Sequence, residues 1–201
     1  MTVPPPLVLA SASTTRAALL RSVGLVFGVD VAAIDEAEVK QALRAEEVDA
    51  GRAAETLAEL KARRVAARHA GALVVGADQI LAAGRRWFDK PIDRADAHAQ
   101  IAVLAGATHE LVSAVVVVRD GARLWHHVKR ARLTMRPLEP ETIERYLDQV
   151  GETALHSPGA YQVEGPGLQL FSNVAGDHSG ILGLPLLPLL GFLRGHGIGL
   201  P

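Results

Sequence analysis

From Ala72 to Ala83 the chain is apolar except at Asp78 and Gln79. Gly71 and Gly84 bound the run, so it reads as sheet rather than helix. Ala72–Val75 reads as a buried strand, and Gln79–Ala83 as a second strand or its continuation. A carboxylate in such a place is costly to bury unless it is paired or bound to a cation. Asp78 is therefore one of two things. It is a turn residue bonding its own backbone, or a ligand-facing group at a strand end after Gly76, where open α/β sheets bind ligands.

The rest of the chain alternates strand and helix signals around this run. Leu7–Ala10 and Val26–Ala33 read as strands. Leu111–Val118 and Leu124–Leu133 flank Asp120-Gly121, a strong hairpin turn. Helices are expected at 15–23, from Asp35 to about Val48, at 52–69, 94–104, 139–150 and 184–194, most of them ended by glycine. The Gly-rich stretch 151–183 reads as irregular. The pattern predicts an α/β or mixed α+β sheet with helical cover.

The 201 residues suit one domain, or one domain with two lobes around a cleft. Half-apolar composition (49%) excludes disorder. A net charge of −1 and only eight aromatic residues argue against a nucleic-acid partner. With no cysteine there is no disulfide, thiolate metal site or Cys nucleophile. Met1–Pro6 lacks the basic region and apolar helix of a signal peptide. Ser179–Leu193 is too short and too rich in Pro and Gly to span a bilayer. The expectation is a soluble, cytoplasmic protein with no membrane partner.

Several further residues invite two readings each. Ser11-Ala-Ser-Thr-Thr-Arg16 joins a strand to a helix start, a geometry that presents backbone N–H groups to phosphate. Arg16 could add a bidentate cation, although a capped helix with a solvated Arg explains the pattern as well. Lys61 shares a helix face with Leu57 and Val65, beside Ala54, Ala58 and Ala62. A lysine there snorkels to water, which the pattern favours, or it faces a buried anion. Asp35-Glu36 reads alone as a solvated helix start, and Lys90 before Pro91 as a surface loop. Glu164, between Val163 and Gly165, reads as a loop acid or a buried specificity carboxylate. Together, three strand-end carboxylates (Asp35, Glu36, Asp78) and three cations (Arg16, Lys61, Lys90) suit a divalent metal, Mg²⁺ or Mn²⁺, bound to phosphates. His126 and His127 alternate on a strand, and His109-Glu110 lacks the second His of a zinc helix. The sequence therefore points away from a catalytic histidine.

Taken in order, these segments resemble the Maf family of nucleoside triphosphate pyrophosphatases. The carriers are Leu9-Ala-Ser-Ala-Ser13 with Arg16 and Leu19-Leu20; Asp35-Glu36; Leu57-Ala-Glu-Leu-Lys-Ala62; Gly76-Ala-Asp-Gln79; Asp89-Lys-Pro91; Leu104-Ala-Gly106 with His109; Gly159-Ala-Tyr161 with Glu164-Gly165; and Gly176-Asp177 with Gly183-Leu-Pro185. The resemblance implies a single Maf-like domain over 1–201, two-lobed, with a mixed twisted sheet flanked by helices and a central active-site cleft. It implies hydrolysis between the α and β phosphates of a nucleotide and a divalent cation, in a family that often forms homodimers. It places the catalytic base at Asp78, metal ligands at Glu36 and Asp78, and substrate contacts at Ser11, Arg16, Lys61 and Lys90.

Two departures stand out. The family's first loop usually carries Pro and then Arg or an aromatic residue where this chain has Thr14 and Thr15, and Pro158 replaces a usual Ala. Three positions separate substrates in the family, here Thr15, Gln79 and Glu164. The last two match the branch resembling 7-methyl-GTP pyrophosphatases. A carboxylate can accept from the ring N–H and exocyclic amine of guanine, and it favours the cationic methylated base. The expectation is a house-cleaning enzyme for modified nucleotides. The alternatives are a dTTP/UTP or broad-specificity pyrophosphatase, or a nucleotide-binding regulator of cell division with little turnover.

Overall fold

The computed structural model describes residues 4–200. The expected span 1–201 and the reading of Met1–Pro6 thus lie partly outside the described residues. The described residues form seven strands and seven α-helices in the order β1 (Leu7–Ala10), α1 (Thr14–Ser22), β2 (Gly28–Val29), α2 (Glu36–Ala45), α3 (Ala50–Ala66), β3 (Leu73–Ala83), β4 (Arg86–Phe88), α4 (Arg94–Leu104), β5 (Thr108–Arg119), β6 (Ala122–Met135), α5 (Pro140–Val150), β7 (Phe171–Ala175), α6 (His178–Ile181) and α7 (Leu186–Arg194). The strands make one mixed sheet ordered β2-β1-β3-β5-β6-β7, with β4 paired to β3. The expected mixed α/β class is the one observed.

Strand β1 lies parallel to β3, with Leu9 opposite Val75 and Ala10 opposite Gly76. Parallel neighbours need a crossover, and α1 to α3 supply it. Strand β4 returns antiparallel along the end of β3, and β7 runs antiparallel to β6. Asp120 (φ 49°) and Gly121 (φ 78°) turn β5 into β6 with both φ values positive, as a tight hairpin of this twist requires.

The chain divides into two compact units, and the division falls inside β3, β5 and β6. The first unit holds residues 1–79, 112–129 and 177–201; the second holds 80–111 and 130–176. The first unit's core is Leu7, Leu9, Leu20, Leu73, Val75, Val115, Val117, Leu184, Leu189 and Leu193 with smaller neighbours. Each such side chain, fully buried, contributes about 1.5–3 kcal/mol. In the second unit α4 packs against α5 and against the 3-10 turn Pro158–Ala160. Ile101, Leu104, Ile143 and Leu147 are buried there. No helix of the described residues is long and apolar enough to cross a membrane.

Three sequence expectations change. The strand expected over 26–33 shrinks to Gly28–Val29, because its apolar residues are not buried: Val26 is 91% exposed and Val31 52%. The run around Asp78 is one continuous strand, β3. The stretch 151–183 contains 3-10 turns, strand β7 and the short helix α6 rather than irregular chain alone.

Candidate active site

The first unit brings five of the expected residues together. Strand periodicity puts Gly76 and Asp78 on one face of β3. That face lies against α3, because Gly76 has no side chain to hold it off. A β-carbon on Gly76 would overlap the Ala58 carbonyl oxygen and come within 2.9 Å of Ala62 Cβ. The small residues of the α3 stripe therefore mark a close approach of helix to strand. Lys61, on the same helix, meets Asp78 there.

Lys61 does not snorkel. It is 7% exposed and Asp78 is 4% exposed. Lys61 Nζ donates to Asp78 Oδ1 at 2.6 Å and pairs with Glu36 Oε1 at 2.9 Å. The ammonium offsets the cost of burying the carboxylate, which would otherwise be several kcal/mol. Asp78 Oδ2 is buried and has no hydrogen-bond partner. Asp35 takes the plainer of its readings: its carboxylate caps α2 by accepting from Glu38 N at 3.0 Å. That cap sets the first turn of α2, from which Glu36 reaches Lys61.

Arg16 and Ser11 come from the loop and helix after β1. Ser13 Oγ caps α1 by accepting from Arg16 N at 3.2 Å. Arg16 Nε donates to the Gly183 carbonyl at 2.9 Å, and Nη1 to Ser11 Oγ at 3.3 Å. Burial weakens the guanidinium's hold on its proton, opposed by the negative fields of Asp78 and Glu36. A guanidinium remains charged under such opposition. Ser11 is buried, and Ser11 Oγ also accepts from Ser13 N at 3.2 Å.

Gln79, next to Asp78 on the opposite face of β3, donates from Nε2 to Ser113 Oγ (2.8 Å), Ile181 O (2.8 Å) and Gly180 O (3.2 Å). Thr15 is half-buried on α1, one residue before Arg16. Lys90 and Glu164 belong to the second unit, and both are exposed. Lys90 follows β4, and Glu164 sits in the turn before the 3-10 helix Pro166–Leu170. Glu164 is thus a loop acid, not a buried one. Burial, with a smaller push from the charge of Glu164, raises the Tyr146 hydroxyl to about 12.

His109 also belongs to the second unit. It is buried, and its Nε2 lies 2.7 Å from Tyr161 Oη. Burial pushes its pKa down to about 4. Its ring packs against those of Tyr161 and Phe171. Sequence reasoning missed Ser113 and the three backbone carbonyls of Gly180, Ile181 and Gly183. Carbonyls carry no side-chain signature; only the motif Gly176-Asp177…Gly183-Leu-Pro185 pointed to that segment.

Among the described residues no group of three or more His, Cys, Asp or Glu could hold a metal. Two carboxylates on one ammonium, one with a bare buried oxygen, do suit a hard divalent cation that takes its remaining ligands from phosphate and water.

The cluster of Lys61, Asp78 and Glu36, with Arg16 near enough to feel both carboxylates, thus sits on a mixed α/β sheet. Residues 6–196 match the family model described as Maf-like protein, and the chain belongs to that family. It is 57% identical over 189 residues to a nucleoside triphosphate pyrophosphatase of Paramagnetospirillum magneticum, covering 94% of this chain and 97% of that one. It is 49% identical to the protein of the same name from Rhodospirillum rubrum, covering 96% of each. It is 50% identical over 193 residues to a 7-methyl-GTP pyrophosphatase of Rhizobium etli, covering 96% of this chain and 97% of that one.

Proposed function

We propose that this chain is a nucleoside triphosphate pyrophosphatase that cleaves the α–β anhydride of modified nucleotides of the 7-methyl-GTP type, releasing the monophosphate and pyrophosphate. The observation that carries the reading is the buried Lys61–Asp78 pair with Asp78 Oδ2 left without a partner. A bare buried acceptor is expensive unless a ligand uses it. Water attacking phosphorus in line must lose a proton, and in this reading Asp78 accepts it through Oδ2. Arg16, fixed at Nε by Gly183, offers its Nη groups to phosphate oxygens. Lys61 adds charge from beneath, and Ser11 adds a hydroxyl donor. Lys90 is assigned to the pyrophosphate that leaves. Asp78 and Glu36 would hold a divalent cation, which supplies Lewis-acid polarisation of phosphate oxygens when bound.

Thr15, Gln79 and Glu164 are assigned to the base. An exposed carboxylate favours a cationic methylated guanine over thymine or uracil, which present one ring N–H on that edge. The decisive experiment measures pyrophosphate release with Mg²⁺ or Mn²⁺ from 7-methyl-GTP, GTP, dTTP, UTP and CTP. Preference for 7-methyl-GTP is expected, and Glu164→Gln should erode it. Preference for dTTP or UTP overturns the assignment of Glu164. Absence of release from every nucleotide, with binding intact, overturns the enzyme reading in favour of a nucleotide-binding regulator.

A further inference from the structure

The segment from Asp177 to Leu186 touches the site at two separate points. The carbonyls of Gly180 and Ile181 accept from Gln79 Nε2, and the carbonyl of Gly183 accepts from Arg16 Nε. We propose that this segment is one positioning element that sets both the polarity of the base-facing amide and the aim of the phosphate-facing guanidinium, with Asp177 and Ser113 as its positioning residues. The proposal rests on the reading of Gln79 as base-facing and Arg16 as phosphate-facing.

The polarity argument is a donor count. Ser113 is fully buried, and its hydroxyl donates to Gly180 O at 2.7 Å. Its single proton is thereby used, so toward Gln79 it can only accept. All three groups around the Gln79 amide are then acceptors. Only the NH₂ end fits among them; a flipped amide would set oxygen against two carbonyls. Gln79 therefore offers Oε1, an acceptor, to a ligand. The base it suits is one that brings an N–H donor to that position.

The aim of Arg16 depends on Gly183. This residue has φ +92°, a conformation that side chains rarely adopt, and it directs the carbonyl onto Arg16 Nε. A β-carbon there would lie 3.4 Å from both Arg16 Nε and Nη2. With Nε on Gly183 and one Nη1 hydrogen on Ser11 Oγ, Nη2 and the second Nη1 hydrogen are left for an anion.

Asp177 holds the segment together. Its Oδ2 accepts from Gly180 N and from Ser179 Oγ, both at 2.7 Å. Ser179 Oγ in turn accepts from Leu186 N at 3.0 Å. One carboxylate thus clamps both the start and the end of the element. Gly180 leaves the space this needs, since a β-carbon on it would lie 3.2 Å from Asp177 Oδ2.

The test separates the two halves of a nucleotide. Calorimetric binding of inorganic tripolyphosphate reports Arg16, and binding of 7-methylguanosine reports Gln79; neither needs turnover. Ser113→Ala should weaken 7-methylguanosine about tenfold and leave tripolyphosphate unchanged. Gly183→Ala should do the reverse. Asp177→Ala should weaken both, and Asp177→Asn, which keeps an acceptor oxygen on the cap, should restore both. A folded Asp177→Ala protein that loses one probe or neither overturns the proposal. Should that variant not fold, Ser113→Ala and Gly183→Ala decide it, and cross-over of their effects overturns it. Wild-type protein that binds neither probe also overturns it. Wild-type protein that binds both but hydrolyses nothing overturns the pyrophosphatase reading and leaves the positioning element standing.

Discussion

Gly76 and Ala58 meet with no room for a side chain between them, and this contact lays the Asp78 face of β3 against α3. Gly76→Ala forces backbone away from backbone. It should destabilise the fold by about 1–3 kcal/mol, as overpacking of a tight core does. Urea unfolding measures this directly. Activity should fall further than the lost stability explains, because the same shift parts Lys61 from Asp78.

Asp78→Asn removes the bare acceptor while Lys61 keeps its pair with Glu36. Turnover should drop by about 10²–10⁴, the usual worth of a positioned general base. Nucleotide affinity by calorimetry should stay within a few-fold. Hydrolysis near the wild-type rate would remove Asp78 from the chemistry.

Lys61→Met takes the cation from a carboxylate that is 4% exposed. Breaking a buried pair in this way costs about 3–5 kcal/mol. The double variant Lys61→Met with Asp78→Leu should recover most of that stability and none of the activity. Failure to recover would show that Lys61 stabilises through packing instead.

The pH dependence of stability should carry the signature of His109. Its pKa lies near 4 in the folded chain, against an ordinary 6.5, because burial disfavours the imidazolium. Between these values the unfolded chain binds the proton and the folded chain does not. Stability therefore falls as pH drops from about 6.5 to about 4, by about 3 kcal/mol in full. His109→Gln should flatten that part of the profile, read by urea unfolding at pH 7 and pH 4.5.

Much of the fold was legible because its signals are local. Helix α4 falls at the expected residues 94–104, closed by the glycine at 106. The Asp120-Gly121 hairpin stands where its turn chemistry put it. What failed depends on distant partners. Strand β4 is three residues long and exists through its pairing with Leu81–Ala83. Strand β7 needs β6. Lys61 shows the limit at the site. An apolar helix stripe with one lysine has the same pattern whether the lysine reaches water or a carboxylate, and the outcome turns on a glycine 15 positions further on in another element. Asp35, by contrast, took its plainer reading because a helix cap is decided within four residues.

The bond from Arg16 to the Gly183 carbonyl joins positions 167 apart in the chain. A ribosome delivering this protein therefore releases the arginine long before the group that orients it. A truncated product ending between Asp78 and that carbonyl carries Asp78, Lys61 and Glu36 but an Arg16 whose Nε lacks this acceptor. Such a fragment also lacks Leu184, Leu189 and Leu193, which share one buried core with Leu9, Val75 and Val115. Chain connectivity alone thus makes a late-synthesised segment complete both the core of the first unit and the contact of its arginine.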